Sequence, residues 1–159
     1  MIREEKFNQY GFPRNLIDIK GITIHETGNY EMNAQQMFDF LNDKNKTNQG
    51  CHYICDSEQV IQVMPNDWAI YHTGKGKDYG CKYTIAIEIC SNINDEKYKG
   101  AQDNAVQLIK ELMEQYNISS DEIFLHNDFN STVHCPNTIL NKYGSAKRFV
   151  LEEILWDMR

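Results

Sequence analysis

Apolar positions along the chain fall into short runs and longer stripes. Residues 21–25, GITIH, read as a brief apolar strand that ends on a histidine. After a polar stretch, Ala34, Met37, Phe38 and Leu41 keep helical spacing, and Asn33 with Gln36 three residues on has the form of a capping box. Residues 44–50, KNKTNQG, read as a loop. CHYICD and QVIQVM are two strand-like runs joined at Asp56-Ser57-Glu58, which predicts a hairpin. YTIAIEIC, 83–90, is the clearest strand, apolar and β-branched apart from Glu88. From Gly100 to Tyr116 the residues Ala105, Leu108, Ile109, Leu112, Met113 and Tyr116 form one helical stripe. EIFLH, 122–126, is a second short strand that ends on a histidine. Ser145 caps a predicted last helix with Val150, Leu151, Ile154 and Leu155 facing inward. Strands alternating with helices, with a hairpin among them, predict an α/β fold: a mixed central β-sheet flanked by helices on both faces.

Length and composition narrow this picture. The 159 residues, 41% hydrophobic and 25% charged, suit one globular domain spanning 1–159. A formal net charge of -7 argues against nucleic acid as a partner, because phosphate contacts need a basic face. No run approaches the roughly 18 apolar residues of a membrane span, and the N-terminus lacks the apolar core of a signal peptide. Synthesis in the cytoplasm, without a membrane partner, is the expectation. The five cysteines, Cys51, Cys55, Cys81, Cys90 and Cys135, are an odd number with no C-x-x-C pair, unlike a disulfide framework or a zinc knuckle.

Candidate chemistry sits at the strand ends. In an open α/β sheet ligands gather outside the carboxyl ends of strands, so His25 and His126 are placed to converge. Cys135 follows nine residues after His126 in a polar segment, HNDFNSTVHCPN. Two histidines and a cysteine make a plausible catalytic zinc site with an open fourth position. One strand-end histidine alone is more often a surface or hydrogen-bonded residue, and a lone cysteine is usually a small buried hydrophobe. Glu88 is a second anomaly, since an unpaired buried carboxylate costs several kcal/mol. Period two sets Thr84, Ala86, Glu88 and Cys90 on one face and Ile85, Ile87 and Ile89 on the other. The isoleucine face is core; the Glu88 face lines a groove or meets solvent.

In their order, ITIHETGN, CHYICD, VIQVMPNDWAIYHTG, TIAIEIC and HNDFNSTVHCPN resemble the blocks of the zinc-dependent N-acetylmuramoyl-L-alanine amidases of the phage-lysozyme and peptidoglycan-recognition type. The resemblance covers about residues 12–155. It implies a mixed sheet with a zinc-containing groove, and hydrolysis of the amide between N-acetylmuramic acid and L-alanine in bacterial peptidoglycan. It also implies His25, His126 and Cys135 as zinc ligands and Glu88 as the general base. His72 would be a groove residue and His52 part of the HY hairpin block, with Trp68 and Tyr71 as further groove candidates. An endolysin-like release to the cell wall fits the same family. Two positions depart from its pattern. Val133 stands where many members carry a lysine or threonine, leaving His134 or Thr132 as the expected oxyanion donor, and Cys51 stands where some carry a tyrosine. Two rivals remain at this level: a non-catalytic peptidoglycan-binding module, and a cysteine hydrolase built on Cys90 or Cys51. Oligomeric state is left open.

Overall fold

A computed structural model describes residues 2–6, 17–43, 50–74 and 78–156. The predicted loop at 44–50 lies, apart from Gly50, outside the described residues. Among the described residues six strands form one sheet: β1 (Ile2–Glu5), β2 (Gly21–Glu26), β3 (Tyr53–Cys55), β4 (Gln59–Gln62), β5 (Thr84–Ile89) and β6 (Ile123–Leu125), in the order β1-β4-β3-β5-β2-β6. β3, β5, β2 and β6 run parallel to one another, while β3 and β4 form the antiparallel hairpin. Asp56 closes that hairpin: its Oδ1 accepts the backbone N–H groups of Glu58 and Gln59 at 2.8 Å each. Its Oδ2 accepts from Ala34 N at 2.8 Å, which ties the hairpin to the start of α1 (Ala34–Asn42).

Both sheet faces are covered. Ile85, Ile87 and Ile89 pack with Ile22 and Ile24 under α3 (Asp95–Tyr116), α5 (Asn137–Tyr143) and α6 (Ala146–Phe149). Ile54, Ile61, Ala86 and Cys90 pack on the other face under Ala34, Met37, Phe38 and Leu41 of α1. Parallel strands buried on both faces account for the nearly unbroken apolar run of β5.

Several boundaries move from their sequence positions. α3 begins at Asp95, five residues ahead of Gly100, because Asn94 caps it by accepting from Lys97 N at 3.0 Å. Tyr83 closes α2 (Tyr79–Tyr83), a short helix the apolar pattern did not predict, and leaves the strand to start at Thr84. β6 stops at Leu125, so His126 opens α4 (His126–Phe129). Ser145 caps α6 as expected, but the chain then widens into a π-helical turn over Val150–Ile154. That wider turn rotates Leu151 out to 43% exposure, while Val150 and Ile154 stay buried.

Candidate active site

Parallel pairing brings the carboxyl ends of β2, β5 and β6 to one edge. His25 is in register with Glu88, and Ile24 with Leu125, so the next residue after β6, His126, stands beside His25. A cleft of about 310 Å³ opens there. Its polar lining includes His25, His72, Glu88, His126 and Cys135, and Met37, Phe40 and Leu41 of α1 form an apolar wall.

The donor atoms of His25, His126 and Cys135 lie within 4.8 Å of one another. The two Nδ1 atoms are 3.2 Å apart, and Cys135 Sγ is 4.0 Å from His25 Nδ1. Zinc bonds of about 2.0–2.1 Å to nitrogen and 2.3 Å to sulfur, at a tetrahedral angle, separate two nitrogens by about 3.3 Å and nitrogen from sulfur by about 3.6 Å. The nitrogen pair already has the spacing of a tetrahedral metal site, and the sulfur must move closer to complete it. The protonation of the donor set also fits. Burial, followed by the neighbouring imidazoles His72 and His126, holds His25 well below the usual histidine range, and burial also lowers His126. Both rings are thus neutral, as metal ligation requires. Burial, helped by the Glu88 and Glu26 carboxylates, pushes the Cys135 thiol up to about 12, so a metal must displace a proton to bind there.

Glu88 differs from every other acid at the cleft. Its Oε2 is buried with no hydrogen-bond partner, and burial, reinforced by Glu26, pushes its carboxyl up to about 8. A carboxyl in that position can hold a proton or release it near neutral pH. Glu26, the other carboxylate at the cleft, is fully engaged. Its Oε1 accepts from the Tyr98 hydroxyl at 2.5 Å and Ile139 N at 3.3 Å, and its Oε2 accepts from Thr138 N at 2.8 Å. Those amides open α5, so Glu26 anchors the helix that begins just after Cys135. Its own backbone N–H points at Cys135 Sγ, 3.5 Å away. Strand alternation sets Glu26 on the Ile22–Ile24 face, where an acid needs partners, and that is the signal the sequence carries for it.

The remaining expected site residues divide. His72 is buried in the cleft wall, with Nδ1 3.0 Å from His25 Nε2 and Nε2 3.2 Å from the Gly80 carbonyl oxygen. His52 is not a groove residue. It is fully buried, its Nδ1 accepts from Ala86 N and its Nε2 donates to Trp68 O, both at 2.9 Å, and burial holds its pKa down to about 4. It braces β5 against the segment after β4. Trp68 packs against the α1-side cluster and, like Tyr71, is not among the residues lining the cleft. The expected oxyanion donors point elsewhere. His134 is exposed with Nε2 3.1 Å from Asn141 Oδ1, and Thr132 Oγ1 donates to Asn130 Oδ1 at 2.7 Å. Val133, between them, is the residue that lines the cleft, at the bend that follows the turn over residues 131–132. Cys51 lies wholly buried behind α1.

Comparison with known proteins agrees with this arrangement. The family model described as N-acetylmuramoyl-L-alanine amidase matches residues 15–138. The chain is 32% identical over 123 residues to the N-acetylmuramoyl-L-alanine amidase CwlA of Bacillus subtilis (strain 168), covering 76% of this chain and 44% of that protein. It is 33% identical over 127 residues to XlyA of the same organism, covering 79% of this chain and 42% of that one. The chain thus spans less than half the length of these curated relatives. Among solved structures, a mutant endolysin from Bacillus subtilis superposes with a TM-score of 0.83 at 31% identity, covering 92% of this chain and 97% of that one. With the family model spanning most of its length, and the two histidines, the cysteine and the acid assembled at one sheet edge, the chain belongs to the N-acetylmuramoyl-L-alanine amidase family.

Proposed function

We propose that this chain is a zinc-dependent hydrolase of the amide joining N-acetylmuramic acid to L-alanine in bacterial peptidoglycan, acting as an endolysin-type catalytic domain. The observation that carries the reading is the meeting of His25, His126 and Cys135 donor atoms beside a carboxyl with an unpartnered buried oxygen. His25, His126 and Cys135 would hold the metal. Bound there, zinc would supply the Lewis acidity to polarise an amide carbonyl and make water a better nucleophile at neutral pH. Glu88 takes the proton from the attacking water and hands it to the departing amine of L-alanine, first base and then acid. The apolar wall of Met37, Phe40 and Leu41 narrows the cleft and limits water around the reacting groups.

A thiol hydrolase is the weaker reading. Burial raises the Cys51 and Cys90 thiols well above their ordinary range, so neither supplies a thiolate nucleophile. The test is metal analysis of the purified chain together with digestion of muropeptides read by mass spectrometry. One zinc per chain, a new N-terminal L-alanine, and activity lost to a chelator and restored by zinc are expected. Binding of muropeptides without cleavage by the zinc-loaded protein would favour the non-catalytic module.

A further inference from the structure

His72 was expected to touch substrate, but its two ring nitrogens are both committed within the protein. Nε2 faces the Gly80 carbonyl oxygen at 3.2 Å, and a carbonyl can only accept. The proton of His72 therefore sits on Nε2. That leaves Nδ1 as an acceptor, 3.0 Å from His25 Nε2. His25 must then carry its own proton on Nε2 and keep the Nδ1 lone pair, on the side of His126 and Cys135, without a proton.

The structure assigns His72 as a positioning residue that sets the tautomer and ring angle of His25, with the Gly80 carbonyl as the fixed end of the chain of hydrogen bonds. This rests on His25 being a metal ligand, as proposed above. The anchor is built rather than incidental. Cys81 Sγ accepts the backbone N–H groups of His72 at 3.4 Å and Thr73 at 3.5 Å. The Thr73 hydroxyl donates to Asp78, whose Oδ1 also accepts from Cys81 N at 3.0 Å at the start of α2. The strand side is tied in as well, because the Thr84 hydroxyl donates to the same Gly80 oxygen at 2.8 Å. A Cβ on Gly80 would stand 2.5 Å from Thr73 Oγ1, so only glycine allows this approach.

Hydrogen-bond partners of metal-bound histidines typically carry about 10–100-fold in metal affinity. His72→Ala should lose zinc affinity on that scale, measured by competition with a chromophoric chelator, and His72→Asn should stay within about threefold of wild type. Asn is the informative variant, because its Oδ1 occupies the place of His Nδ1 and can accept from His25 Nε2, while a substrate-binding role would give it no such advantage. Long-range proton–nitrogen spectra of ¹⁵N-histidine-labelled wild type provide a reading that needs no variant. Metal-free and zinc-loaded protein should both show His25 and His72 protonated on Nε2. A His25 proton on Nδ1, or equal zinc affinities for the Ala and Asn variants, overturns the assignment. Failure of wild type to bind zinc would instead remove the ligand reading on which it depends, while the metal-free spectrum still tests the tautomer.

Discussion

Glu88 ties the geometry of the cleft to a measurable pH dependence. In the metal-free protein its carboxyl stands at about 8 against an ordinary 4.5, because one oxygen is buried without a partner and Glu26 lies nearby. Below the unfolded-state value both folded and unfolded chains hold the proton, so the group is neutral to stability. Above it the unfolded chain releases the proton while the folded chain keeps it, and stability falls until the pH passes the folded value. At about 1.4 kcal/mol per tenfold, the loss comes to under about 1 kcal/mol near pH 5, about 3 near pH 7, and 4 to 5 near pH 9. Glu88→Gln has no proton to exchange. Urea unfolding of chelator-treated wild type and variant should therefore show a gap in favour of glutamine that opens with rising pH on this scale. Zinc should narrow the gap, since a cation near the carboxylate favours its ionised form. The same variant should keep zinc yet lose about 10²–10⁴-fold in turnover, the usual contribution of general acid–base work. A gap that stays constant from acid to alkaline pH would show a solvated carboxylate with an ordinary pKa. The burial argument, and with it the case for Glu88 as a neutral-pH base, would fail.

Two further outcomes follow from the placement of side chains around His25, His126 and Cys135. Glu26→Gln removes the charge that Thr138 N, Ile139 N and the Tyr98 hydroxyl share, and should cost about 1.5–3 kcal/mol in urea unfolding. It should also weaken zinc binding by freeing the α5 start beside Cys135, and unchanged affinity would show that Cys135 is held without it. His134→Ala and Thr132→Val should each leave muropeptide turnover within about twofold, because both side chains point away from the cleft; a loss of 10²–10³-fold in either would mark it as an oxyanion donor after all.

Much of this molecule was legible in the order of residues. Alternation along TIAIEIC separated the isoleucine face from the Glu88 face, and the capping box at Asn33 with Gln36 marks the start of α1 where the structure has it. Strand-end histidines could be paired in advance, because parallel strands of an α/β sheet share one functional edge. These are local or periodic signals, and periodicity survives without knowledge of what packs against it.

Direction and partnership were decided only by the tertiary structure. His52, His72 and His134 are the same residue type, yet one braces the sheet, one turns to His25 and one turns to Asn141. The two acids at neighbouring strand ends also divide: Glu26 is taken up by a helix start more than a hundred residues away, and Glu88 is left with an unpartnered oxygen. α2 escaped the apolar pattern because its five residues bury little apolar surface of their own, and its carbonyl at Gly80 matters only to a ring brought in from His72. Residue types and spacing along this chain determined which groups were available for chemistry and which edge of the sheet they would share. Which of them face the cleft and which only one another depends on hydrogen bonds between segments far apart in sequence, and only the folded chain brings those donors and acceptors within reach.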